Sequence, residues 1–254
     1  MARRDGAWGE PALRQMIEIF LNPENETNWD NLNVDAPAEP NEAVKAAERL
    51  LREMPSSARR EVLECYMLLA TKERNQIDRA VAMLLELLGV EKDYLPALVC
   101  LSQAYLMLKQ APKARNHLKR VAKIAFQADL IDDFERGWLM LADVYIVGGK
   151  YDLAEELCWR CLASNKSCAK AFEFLGVVKE KEAAYKDAAS HYEKAWGFEN
   201  EASAAVGYKL SFNYLKAKKY VEAIDVCHKV LGQYPDYPRI KAEVLDPARE
   251  ALRP

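Results

Sequence analysis

The stretch Trp138-Leu139-Met140-Leu141-Ala142-Asp143-Val144-Tyr145, followed by Ala154, Cys158 and Cys161, decides the fold. Trp138, Leu141, Ala142 and Tyr145 share one face of a helix. Gly148-Gly149 breaks that helix, and Ala154, Cys158 and Cys161 mark the inward face of a second one. The same helix pair recurs along the chain. Leu98, Leu101, Ser102 and Tyr105 precede Ala114, Leu118 and Val121. Phe172, Leu175 and Gly176 precede Ala188, Tyr192 and Ala195. Gly207, Leu210, Ser211 and Tyr214 precede Ala223, Cys227 and Val230, and that copy ends at Pro235. A weaker copy joins Leu68 to Ala80, Leu84 and Leu87. The second-helix alanines at 80, 114, 154, 188 and 223 are separated by 34, 40, 34 and 35 residues. The long step predicts an insertion at Phe126–Glu135.

This spacing is the tetratricopeptide signature, in which two helices form one repeat of about 34 residues. The predicted fold class is therefore all-α: a tetratricopeptide-repeat superhelical solenoid of antiparallel helix pairs with a C-terminal capping helix. Small residues let the two helices of a pair approach closely. Ala142, Gly176, Ser211 and Ser102 serve on first helices, the spaced alanines on second helices. Trp138, Tyr145, Tyr192 and Tyr214 fill the space around them. Enlarging a crossing residue should cost ~1–3 kcal/mol, and truncating a buried Trp138 ~3–5 kcal/mol.

Composition sets the bounds. Half of the 254 residues are hydrophobic, and glycine (10) and proline (11) are scarce. Net charge is −3, from 36 basic and 39 acidic residues, which argues against a dedicated nucleic-acid binder. The densest basic run is Lys113, Arg115, Lys119, Arg120 and Lys123, on a second helix. It reads as a solvated face, with an acidic docking partner as the alternative. Met1–Trp8 is followed by no apolar stretch long enough for a signal peptide, and no apolar run is long enough to span a membrane. The six cysteines are then expected as reduced thiols in a cytosolic compartment. Asn25-Glu26-Thr27 matches the glycosylation sequon by chance.

The expected organisation has three parts: N-terminal helices and a polar linker at 1–54, the repeat array at 55–237, and a capping helix at 238–254. Pro11–Leu21 reads as a short helix, and Asn22–Asn41 as a loose linker with Pro23, Pro37 and Pro40. Glu42–Glu53 reads as its partner helix, with Ala43, Ala46, Ala47, Leu50 and Leu51 inward, so that the two form one split repeat. The pairs that follow are Ser56–Lys72 with Gln76–Leu88, Leu95–Leu108 with Pro112–Ala125, and Phe134–Val147 with Tyr151–Ala163. Then come Ala169–Glu182 with Lys186–Gly197, and Ala204–Ala217 with Tyr220–Tyr234. Pro238–Leu252 is expected as the cap, broken near Pro247.

No constellation carries chemistry. Cys158-x-x-Cys161 has metal or redox spacing, but a structural zinc site needs four ligands. Cys168 is the nearest further thiol, while His117, His191 and His228 are distant in sequence. Both cysteines fall on packing positions. Glycine-rich phosphate loops and hydrolase or zincin motifs are absent from the sequence. The reading is of a protein that is not an enzyme and has no catalytic, metal or cofactor site. A function would sit on the wall formed by first helices: Cys65, Leu69, Val99, Gln103, Leu106, Leu139, Asp143, Ile146, Glu173, Val177, Tyr208, Phe212 and Leu215. Such a wall either takes a partner's helix or extended segment or is covered by neighbouring repeats. It lacks the lysine and asparagine cluster with which chaperone-type modules grip a carboxylate. A free-standing adaptor or co-chaperone that binds short peptides is the alternative reading.

Several segments are similar to the end of the tetratricopeptide repeat protein 21 family. They are Ile17–Pro23, Leu95–Leu98, Ala104–Gln110, Ala114–Arg120, Trp138–Ile146, Ala205–Lys218 and Ala251–Pro254. That family is the long tetratricopeptide subunit of intraflagellar transport complex A, and this chain corresponds to the C-terminal part of a far longer solenoid. The resemblance implies an assembly role in retrograde ciliary transport and in import of membrane cargo. The implied partners are the WD-repeat and tetratricopeptide subunits of that complex, without nucleic acid or direct membrane insertion. The implied location is the cilium or flagellum, the basal body and the cytoplasm.

Overall fold

The computed structural model describes residues 9–21 and 42–253. The expected linker, the sequon and Met1–Trp8 lie outside the described residues. Ala-, Leu-, Glu- and Lys-rich segments favour helix, and the described residues form thirteen α-helices and no strand. The chain divides into two compact units, Met1–Gly137 and Trp138–Pro254.

In the first unit α1 (Gly9–Leu21) packs on α2 (Glu42–Glu53). Leu13 and Ile17 meet Ala47, Leu50, Leu51, Met54 and Leu63, with Phe20 and Leu21 packed alongside. Ala46 is only half-buried, and Ala47 takes the inward place. Then α3 (Ala58–Ala70) pairs with α4 (Arg74–Val90), and α5 (Leu95–Met107) with α6 (Ala111–Val121). First helices lie side by side, α1 on α3 and α3 on α5. Because α5 also packs on α4 and α6, eleven of its residues are buried and it has no polar face.

The insertion falls slightly earlier than expected. Helix α6 ends at Val121 and a 3₁₀ turn occupies Ala128–Leu130, so α7 (Ile131–Val147) starts before Phe134. Asp132 and Asp133 sit in its first turn, where carboxylates are favoured by the helix dipole.

In the second unit α8 (Tyr151–Ser164), α9 (Ala169–Lys181), α10 (Tyr185–Phe198), α11 (Ala204–Lys216) and α12 (Tyr220–Gln233) each pack on the next. A π-helical turn at Lys241–Leu245 and α13 (Asp246–Ala251) close onto α12 through buried Ile240, Val244, Leu245 and Ala248. Pro247 lies in the first turn of α13. It has no N–H to offer the preceding turn, and the break expected near it is this π turn.

Close approach occurs where the small residues predict it. Ala80, Ala114, Ala154, Ala188 and Ala223 are all fully buried. The Cys65 thiol reaches the Ala80 carbonyl at 3.8 Å across the α3–α4 crossing. A Cβ on Gly176 would meet the Tyr192 ring at 2.8 Å, and one on Gly207 would meet Val230 at 2.5 Å. Both glycines are therefore required by space.

Turns between paired helices share one backbone device. Lys72, Lys109, Gly149, Ala183 and Lys218 all adopt positive φ, between 57° and 68°. In four of these turns the next N–H reaches back five residues: Gln110 to Tyr105, Lys150 to Tyr145, Ala184 to Lys179 and Lys219 to Tyr214. These are Schellman caps, which usually place glycine at the left-handed residue. Only one of the five carries it.

Candidate protein-interaction surface

The expected wall residues separate by depth. In the first unit Leu69 on α3 and Val99 on α5 are buried, as is Cys65, while Gln103 and Leu106 on α5 keep partial exposure. In the second unit Leu139 on α7 and Glu173 on α9 are buried. Asp143 and Ile146 on α7, Val177 on α9, and Tyr208, Phe212 and Leu215 on α11 remain partly open. The sequence pattern places all of these on one face of each first helix. It does not tell which of them neighbouring helices cover.

The best-defined geometry joins α9 to α11. Glu173 accepts from Lys170 at 2.8 Å and from Lys209 at 2.7 Å. Burial alone would raise its carboxyl, but Lys170 and Lys209 outweigh burial and hold it below the ordinary carboxylate value. One repeat turn further along, the Asn213 side-chain amide donates to Glu180 at 2.7 Å and to the Lys209 carbonyl at 2.8 Å. The Tyr192 hydroxyl also donates to Glu180, at 3.2 Å. This polar ladder sets the spacing of two first helices. Lys170, Lys209 and Asn213 were missed from sequence. Their signal was there: Glu173 and Lys209 sit 36 positions apart and Glu180 and Asn213 33 apart, each about one repeat.

Beside the ladder lies an aromatic strip. Tyr208 stacks on Phe212 with ring centroids 6.3 Å apart and tilts against Tyr237 at 6.1 Å. Lys216 sits over the Phe212 ring at 5.2 Å. The Tyr208 hydroxyl donates to Glu243, and burial followed by that carboxylate pushes it up to about 12. Flat, half-buried rings with polar rims are the side chains that protein interfaces favour.

Cys158 and Cys161 are fully buried packing residues. Burial, with Cys168 and Glu155, pushes the Cys158 thiol up to about 12, so it is protonated at neutral pH. His228 is exposed and its Nε2 lies 3.0 Å from Arg249. Among the described residues no helix is long and apolar enough to cross a membrane.

Residues 46–249 match the family described as the tetratricopeptide repeat protein 21 C-terminal ARM domain. The chain belongs to the tetratricopeptide repeat protein 21 family. It is 48% identical over its whole length to tetratricopeptide repeat protein 21B of Mus musculus and of Homo sapiens, and 35% identical over 97% of its length to the Caenorhabditis elegans homolog. It spans about a fifth of the length of these relatives, 20% of each. Among solved structures it is similar to the Cut9–Hcn1 assembly of the APC/C, with TM-score 0.58 and 15% identity over 96% of this chain and 52% of that one. It is also similar to YrrB, described as a TPR protein with an unusual peptide-binding site. There the TM-score is 0.56 and identity 16%, over 82% of this chain and 98% of that one. These likenesses show the fold: an array of paired helices with tetratricopeptide spacing.

Proposed function

We propose that the chain is a non-enzymatic scaffold segment of intraflagellar transport complex A, acting in retrograde ciliary transport and ciliary cargo import. Its partners in this reading are the WD-repeat and tetratricopeptide subunits of that complex, and it works at the cilium, basal body and cytoplasm. The observation that carries the reading is the 48% identity to the family's 21B member along the entire chain. The partly open residues of the first helices supply contact surface: Gln103 and Leu106 in one unit, Val177, Tyr208, Phe212 and Leu215 in the other. Tagged chain should co-purify with complex A subunits and concentrate at the basal body and axoneme. Phe212→Ala with Leu215→Ser should weaken that recovery without lowering the Tm by more than a few degrees. A diffuse cytosolic signal with none of those subunits recovered counts against the reading. Binding instead to short peptides on an array would favour the free-standing adaptor, the reading that the peptide-binding description of YrrB suggests.

A further inference from the structure

Helix α6 and the turns that flank it carry a strip of cations of which the fold engages only part. Residues 109–128 contain Lys109, Lys113, Arg115, Lys119, Arg120 and Lys123 and not one acidic residue, in a chain whose net charge is −3. Several basic side chains elsewhere are engaged, Arg59 with Asp133, Lys179 with Glu155, Lys209 with Glu173 and Lys229 with Glu201; what sets this strip apart is its density without an acidic neighbour in sequence. On α6 only Arg120 is ion-paired among the described residues, with Asp93 at 2.9 Å. Lys113 lies over the Tyr105 ring at 5.3 Å. Lys109, Lys119 and Lys123 are exposed. Arg115 is half-buried, and its Nε atom is enclosed with no hydrogen-bond partner among the described residues.

We propose that the outward face of α6 is the docking site for an acidic segment of a partner protein. From Lys113 to Lys119 the strip runs about 9 Å along α6, and Lys123 extends it into the turn after, enough for roughly three or four residues of extended chain. It is one helix wide, which suits a single peptide strand carrying several carboxylates that meet exposed lysines in charge-assisted hydrogen bonds. A lipid surface is a poorer fit. The exposed α6 residues are Ala111, Pro112, Lys113, Asn116 and Lys119, and the one exposed large apolar side chain in residues 109–128 is Phe126, too little to form the apolar face that enters a bilayer. Nucleic acid is disfavoured by the chain's overall negative charge. The inference rests on the protein-binding part of the proposed function and is independent of the ciliary assignment.

The test uses the whole chain and a fluorescent decaglutamate peptide. Anisotropy should show saturable binding that weakens as sodium chloride rises. The exposed-residue variant Lys113→Glu/Lys119→Glu/Lys123→Glu should weaken it about tenfold. The control Lys166→Glu/Lys186→Glu/Lys241→Glu changes net charge equally at exposed sites off the strip and should leave binding unchanged. Circular dichroism and Tm verify that both variants fold. Equal losses in the two variants would show only a general field and overturn the site, as would absence of saturable binding. Stronger retention by phosphatidylserine vesicles or by oligothymidylate than by the peptide would overturn the choice of partner. Peptide binding without recovery of complex A subunits would sink the ciliary reading and leave this site standing.

Discussion

At the scale of single residues the fold rests on where side chains are small and where the backbone turns left-handed. The crossing alanines were legible in the sequence because their spacing is a local signal repeated five times. Apart from Gly149, the left-handed turn residues were not, since lysine and alanine stand where glycine would have announced them. Four of the five turns make non-glycine residues pay for a positive φ, roughly 1 kcal/mol each. Lys218→Gly should therefore stabilise the chain by about 0.5 kcal/mol once the greater freedom of glycine in the unfolded chain is subtracted. Denaturant unfolding at fixed m-value measures it, and a loss of stability would show that the turn is held by something other than its Schellman hydrogen bonds.

At the scale of elements, charged side chains fix helices that apolar packing alone leaves adjustable. Helix α1 lies across the first turns of α3 and α7: Glu18 meets Arg59 at 3.4 Å, Arg14 meets Asp132 at 3.3 Å, and Arg59 meets the buried Asp133 at 2.7 Å. These partners are 41 to 118 positions apart, so no periodicity could reveal them. Arg59→Ala strands Asp133 and should cost about 2–4 kcal/mol. Hydrogen exchange should rise first in α1, and equal protection of α1 in variant and wild type would refute the clamp. In the second unit Glu173 holds α9 to α11 as a carboxylate. Its folded-state value lies below the ordinary one. The stabilisation is therefore present above the unfolded value of about 4.3 and lost as pH falls through the folded value. Lys209→Met should lower the Tm at neutral pH, and the gap from wild type should narrow below about pH 4. A gap constant across that range would mean Lys209 acts by packing alone. Both ends of the ladder could have been sought at one-repeat spacing. Its polarity gave no hint of burial, because a Glu/Lys mixture on a helix reads as a solvent face.

For the whole molecule, stability should be regional, because repeat arrays sum local terms and nearest-neighbour contacts. Gly176→Leu forces the Tyr192 ring aside and should cost ~1–3 kcal/mol. Exchange protection should fall in α9–α11 while α3–α5 stay protected; uniform loss through both units would make the chain one cooperative block. The architecture itself was the most readable part, since every repeat restates it. The open part of the wall was the least readable. Whether Leu69 and Val99 are covered while Leu106 is not depends on how helices lie against each other, which one repeat's residues do not encode.

Helix α5 has a last consequence. Its neighbours enclose it on α3, α4 and α6, and Ser102 satisfies its hydroxyl on the Leu98 carbonyl at 2.7 Å. Most helices can drift over generations along their wet side, trading one polar residue for another without penalty. The 13 residues Leu95–Met107 have almost no such freedom. Inherited variation should thin out there more than anywhere else in the first unit, and a missense change there should be read as a folding defect before a lost contact.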